Sequence, residues 1–102
     1  EDNKIYFYLK EKEDNYTSLS NMFENITELI NFSFNDKYIN NYNITDIKEM
    51  FSDCISLKNV SLYPLNGQYI DDISFLFSNC ISLEYINLSN FNSNTIKYMN
   101  CL

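Results

Sequence analysis

The side chains in this 102-residue chain that could do chemistry are three cysteines, fourteen carboxylates and nine tyrosines, with no histidine among them. A cysteine nucleophile needs a partner that makes thiolate, and a general base should titrate near neutral pH. Without histidine, neither arrangement can be built in the usual way. Cys54, Cys80 and Cys101 show no C-x-x-C or Cys/His spacing for zinc and are too few for a disulfide scaffold. Asp71 and Asp72 are adjacent carboxylates, but chain neighbours need not face one pocket. There is no glycine-rich phosphate loop, since the only glycine is Gly67, and no G-x-S-x-G elbow. The chain is therefore read as not an enzyme, with no catalytic residue, no cofactor and no resident metal.

Charge narrows the partners. Fourteen acidic side chains stand against seven lysines and no arginine, for a net charge of -7. Such a chain is repelled by phosphate backbones and anionic lipid, where affinity comes from counterion release. Nucleic acid is thus excluded as a partner, and no apolar run approaches the roughly 20 residues that membrane insertion needs. With 45% hydrophobic residues the chain has enough apolar surface for one domain. The first residue is Glu1 and no leader-like segment precedes it. The expectation is a processed chain or one excised from something longer.

What positions these residues is a repeat. ITDIKEMFSDCISLKNVSLYPLNGQY, residues 44–69, lies over IDDISFLFSNCISLEYINLSNFNSNT, residues 70–95, without a gap. The period is 26 residues, and Ile47/Ile73, Phe51/Phe77, Cys54/Cys80, Leu57/Leu83, Val60/Ile86 and Leu62/Leu88 keep their apolar character. An earlier unit, residues 16–43, fits with a two-residue insertion and places Leu19, Phe23, Ile26, Leu29, Phe32 and Phe34 on the same positions. Residues 1–15 read as an N-terminal strand or cap, and 96–102 as a truncated fourth unit.

Apolar spacing changes inside each unit. Ile44, Ile47, Phe51 and Cys54 recur near a helical period, whereas Val60-x-Leu62 alternates as a strand with one buried face does. Ser18, Asp46 and Asp72 share the slot that opens the helical segment, which suits a helix N-cap, and Asp46-x-x-Glu49 resembles the reciprocal capping box. The competing reading is calcium held by Asp46 and Asp72 on adjacent rungs with help from Asp71. Calcium wants six to eight oxygens from a shaped loop, and no such loop is present. One unit cannot bury its apolar face alone, so the fold class predicted is α/β: a repeat stack with short parallel strands on one face and short helices on the other, three full units of 26–28 residues and a partial one. Cys54 and Cys80 then lie one period apart. Bridging needs Cα atoms roughly 4.4 to 6.8 Å apart, and the helical side of a stack splays wider than the strands, so buried free thiols are the expectation. Cys101 aligns with Phe75, outside that row.

MFSDCISLKNVSL, LFSNCISLEYINLSNF and the weaker NMFENITELINFSF resemble the 26-residue BspA-like leucine-rich repeat, which reads roughly MF-x-x-C-x-SL-x-x-L-x-LSNF. The resemblance covers about residues 16–102. It implies a leucine-rich-repeat solenoid occupying 1–102 as a single domain, in an extracellular or cell-surface protein that attaches to a protein or glycan on a host or neighbouring cell. The alternative is a structural spacer or stalk that carries another functional domain. The family's loop asparagine falls here on Leu65 and Phe91, so an asparagine ladder does not carry over.

If Val60, Leu62, Ile86 and Leu88 point inward, alternation turns Asn31, Ser33, Asn59, Ser61, Tyr63, Tyr85, Asn87 and Ser89 outward on the strand face, with Asn35 beside them. Repeat proteins commonly bind partners on such a face, and Tyr63 and Tyr85 supply aromatic anchors. The bland reading is a solvated face of stacked amides and hydroxyls. An uncapped C-terminal rung around Tyr98, Met99 and Leu102 invites end-to-end self-association. Six N-x-[ST] sequons, at Asn15, Asn25, Asn31, Asn43, Asn59 and Asn87, hint at secretion. Residues 63–69, YPLNGQY, read as a rigid turn, and Lys10 to Asp14 as a solvated loop.

Overall fold

The computed structural model describes residues 18–34, 43–70 and 72–91. Three strands, β1 (Asn31–Ser33), β2 (Asn59–Ser61) and β3 (Tyr85–Asn87), form one parallel sheet in the order β1-β2-β3. The register is that of the sequence repeat: Asn31 pairs with Asn59 and Asn59 with Tyr85, Phe32 with Val60 and Val60 with Ile86, Ser33 with Ser61 and Ser61 with Asn87. The strand segments lie where the alternation placed them. Residues 1–15 and 96–102, and with them the cap and the fourth unit, lie outside the described residues.

The segments expected to be helical are not helical. Across Leu19–Ile26, Ile47–Cys54 and Ile73–Cys80 the chain runs as consecutive turns, closed by Met22 N–H to Leu19 O, Glu24 to Asn21 and Ile26 to Phe23, and likewise by Met50 to Ile47, Ser52 to Glu49 and Cys54 to Phe51. Intervening N–H groups bond across to the next unit: Leu19 to Asp46 O, Asn21 to Lys48 O, Phe23 to Met50 O and Asn25 to Ser52 O at 2.8–3.1 Å, then Phe51 to Leu76 O and Asp53 to Ser78 O. The physical reason is spacing. Packed helices need axes 8–10 Å apart, whereas hydrogen-bonded strands repeat every ~4.8 Å. A unit whose strand is tied at the smaller distance cannot carry a packed helix behind it without fanning the stack open, so the turns hold the back at strand-like spacing. The same apolar offsets serve either conformation.

This alternation requires left-handed residues. Asn21, Glu49 and Phe75 have φ of 61°, 58° and 60°, and Asn25, Asp53 and Asn79 have 67°, 64° and 61°. The second column holds only Asn and Asp, the types that visit this region most readily. Glu49 and Phe75 in the first column do so at a steric cost.

The core lies between turns and strands. Phe23, Phe51 and Phe77 stack with centroids 5.9 and 5.8 Å apart and planes 11° and 13° from parallel, and Phe32 meets the Phe51 ring edge-on at 4.9 Å. Ile47, Met50, Phe51, Cys54, Leu57, Val60 and Leu62 of the central unit are fully buried. The outer units are less so: Leu29, Phe32 and Phe34 on one side and Cys80, Leu83 and Leu88 on the other are only partly buried. Ile86 corrects the expectation that it is inside as Val60 is. It shares Val60's register yet is 42% exposed, because β3 is a sheet edge among the described residues and lacks a strand that covers it there.

Candidate functional site

The outward side chains of the sheet form columns. Asn31, Asn59 and Tyr85 are paired in register and exposed, and beside them Ser33, Ser61 and Asn87 make a second column running from exposed to half-buried. Tyr63 and Ser89, each two residues beyond the end of its strand, are exposed too. Tyr63 and Tyr85 show 55% and 54% of their surface. The strands expose these side chains because alternation puts the intervening residue on the other side of the sheet, where Val60 is buried in the core and Phe32 packs against it. Asn35 lies outside the described residues.

Within the face, Asn59 Nδ2 donates to Asn31 Oδ1 at 2.7 Å, so stacked amides do exist, though not at the loop position where the resemblance would place an asparagine. That loop position is taken by Leu65, which is buried, and by Phe91. Asn87 Oδ1 is engaged by the Ser89 N–H at 2.9 Å. The loop after β2 supports this end. A cis peptide joins Tyr63 and Pro64, Asn66 Oδ1 accepts the Gln68 N–H at 2.9 Å and caps a 3-10 helix, Gly67–Tyr69, and Asn90 Nδ2 donates to Pro64 O. Gly67 is there for space: a Cβ at this position would lie 2.6 Å from the Phe91 ring.

The carboxylate slot works differently from the expected helix cap. Ser18 Oγ, Asp46 Oδ1 and Asp72 Oδ1 accept N–H bonds from Ser20, Lys48 and Ser74 at 2.9–3.1 Å. They satisfy orphan donors as a cap would, but they open a run of turns. The Ser74 hydroxyl and backbone N–H, with Lys48 4.0 Å away, hold the Asp72 carboxyl below the usual range. Asp71, third member of the calcium reading, lies outside the described residues, and among those described no cluster of three metal-ligating side chains occurs.

Cys54 and Cys80 are free thiols. Cys54 Sγ donates to Phe23 O and Cys80 Sγ to Phe51 O, each at 3.1 Å. Burial pushes both thiols up, Cys80 to about 11. These groups are protonated at neutral pH and are poor nucleophiles. The splay invoked against a bridge does not occur, since the turns stay hydrogen-bonded from unit to unit. Cys101 lies outside the described residues. Of the sequons, Asn25, Asn31, Asn43 and Asn59 are exposed and Asn87 is half-buried, while Asn15 lies outside the described residues.

Residue-pattern reasoning missed the polar links on the turn side. Asn79 Nδ2 donates to Asp53 Oδ1 at 3.1 Å, Asn21 Nδ2 to Glu24 Oε1 at 2.7 Å, and Ser82 Oγ to Ile55 O at 2.8 Å. A signal was available: MFEN, MFSD and LFSN each end in Asn or Asp at one slot, the residue types suited to a left-handed turn.

The family described as Mycoplasma protein of unknown function, DUF285, matches residues 17–102. The chain belongs to this family. No curated protein and no solved structure matches the chain.

Proposed function

We propose that the chain is a non-enzymatic interaction and adhesion module: a stack of BspA-like leucine-rich repeats from an extracellular or cell-surface protein that holds a macromolecule of a host or neighbouring cell against its strand face. The observation that carries this reading is the in-register column of exposed, uncharged side chains running from Asn31 through Asn59 to Tyr85, flanked by Ser61 and Tyr63. A surface of rigid aromatic anchors and adaptable amides and hydroxyls has the composition that binding loops use. The sheet holds these groups in place before a partner arrives, which lowers the entropy cost of association.

The test is adhesion of the chain to a cell layer, compared with variants Ser61→Asp, Tyr63→Asp, Tyr85→Asp and Asn87→Asp. Adhesion should fall in these variants while far-UV circular dichroism is retained. Unchanged adhesion would favour the second reading, a spacer or stalk, to which the hydrogen-bond ladder along the turns lends stiffness. End-to-end association through the C-terminal rung belongs to the same proposal, but that rung lies outside the described residues.

A further inference from the structure

We propose that the strand face binds a neutral oligosaccharide, an inference that rests on the adhesion reading above and names the class of ligand.

Size is the first argument. Three strands at ~4.8 Å and three residues at ~3.3 Å give a described face of about 14 Å by 10 Å. Two or three sugar rings fit within it.

Charge is the second argument. The chain as a whole carries -7, yet none of the outward side chains of β1, β2 and β3 is charged. Lys58 and Glu84, exposed just before β2 and β3, have opposite signs. Among the described residues the strand columns themselves hold no cation for a sulfated or sialylated glycan, Lys58 beside them is offset by Glu84, and the face does not repel a neutral sugar.

Hydrogen-bonding geometry is the third. The bond from Asn59 Nδ2 to Asn31 Oδ1 fixes both amide planes. It leaves amide donors on Asn31 and the acceptor oxygen of Asn59 along the same column, a donor and acceptor set that matches the vicinal hydroxyls of a pyranose. Tyr85 continues that column and Tyr63 lies two residues past the end of β2, each more than half exposed. Their ring faces can cover the apolar C–H face of a sugar while the amides and Ser61 take its hydroxyls. The rung spacing of ~4.8 Å is on the scale of one ring, so successive rungs can serve successive sugars.

The experiment uses the full chain on an array of maltotriose, chitotriose and N-acetyllactosamine, with sialyllactose and heparin as acidic probes, alongside the cell-adhesion assay. The expected result is binding to at least one neutral probe and to neither acidic one. That binding should weaken about tenfold or more in Tyr85→Ala and Tyr63→Ala and remain unchanged in Ile81→Ser, whose side chain is exposed outside the strands. Binding to acidic probes only would overturn the inference. So would adhesion that trypsin treatment of the cells abolishes and periodate treatment does not, with no neutral probe bound; the adhesion reading would then survive with a protein partner. Neither adhesion nor glycan binding would remove both.

Discussion

Cys54 Sγ lies 3.1 Å from the Phe23 carbonyl oxygen of the preceding unit, to which it donates, and Cys80 repeats the contact with Phe51. Cys54 and Cys80 thus tie the back of one turn run to the one before it, each supplying a donor to a carbonyl. Ile26, in the same slot of the first unit, has no donor to give.

Replacing Cys54 by Val keeps the apolar volume and removes the donor. The Phe23 carbonyl keeps the Ile26 N–H, so losing the thiol bond should cost about 0.5–1.5 kcal/mol, read from the midpoint of urea unfolding, with Cys54→Ser losing less. A valine variant as stable as the parent would show that the thiol acts only as filler.

The same thiols make stability depend on alkaline pH. A group whose folded pKa is raised stabilises fully below its unfolded value and loses that contribution as pH rises through the folded one. For Cys80 the window runs from the ordinary 9.0 to about 11. Thermal melts should therefore decline more steeply over this window in the parent chain than in Cys80→Ala, a comparison that cancels the tyrosines titrating nearby. Parallel declines would remove Cys80 as the cause.

Phe51 is stacked on both faces and fully buried, whereas Phe77 is stacked on Phe51 and retains 6% exposure. Truncation to alanine should cost about 3–5 kcal/mol at Phe51 and less at Phe77, because the outer site collapses more easily. Chemical denaturation of the two variants checks the order.

Phe75 holds a φ of 60° with a bulky side chain that is 39% exposed. Left-handed backbone costs an ordinary residue about 1–2 kcal/mol, so Phe75→Asn should raise the melting temperature. Asn79→Ala should lower it, losing both the tolerant residue type and the bond to Asp53. If both variants fall, the gain in backbone strain is smaller than the apolar contact Phe75 supplies.

Gly67→Ala places a methyl group inside the Phe91 ring's space and should destabilise, while Phe91→Leu alone costs little. In a double-mutant cycle the pair should recover part of the loss. Strict additivity would mean that the clash is relieved elsewhere.

How far the residue pattern reached depends on which interaction carried each element. Strand positions and register were legible, because Val60-x-Leu62 and its copies alternate and a fixed interval brings like side chains side by side. The exposed face of Asn59, Ser61 and Tyr85 followed from the same alternation. The turn segments were misread as helices because Ile47, Phe51 and Cys54 are spaced alike in both, and what separates them is a hydrogen bond to another unit. Asp46 and Asp72 were rightly seen as acceptors for nearby N–H groups, since that bond is local.

Order along the chain therefore settled the period, the pairing partners and the residues that face each other across it, all of which depend only on recurrence and alternation. Three-dimensional packing alone chose turns over helices, directed the Cys54 thiol to a carbonyl 31 positions away, and left Ile86 exposed where Val60 is covered. The first two turn on the distance between neighbouring units, which backbone bonding sets at the strands, and the third on the place of β3 at the sheet edge among the described residues; no single unit encodes either.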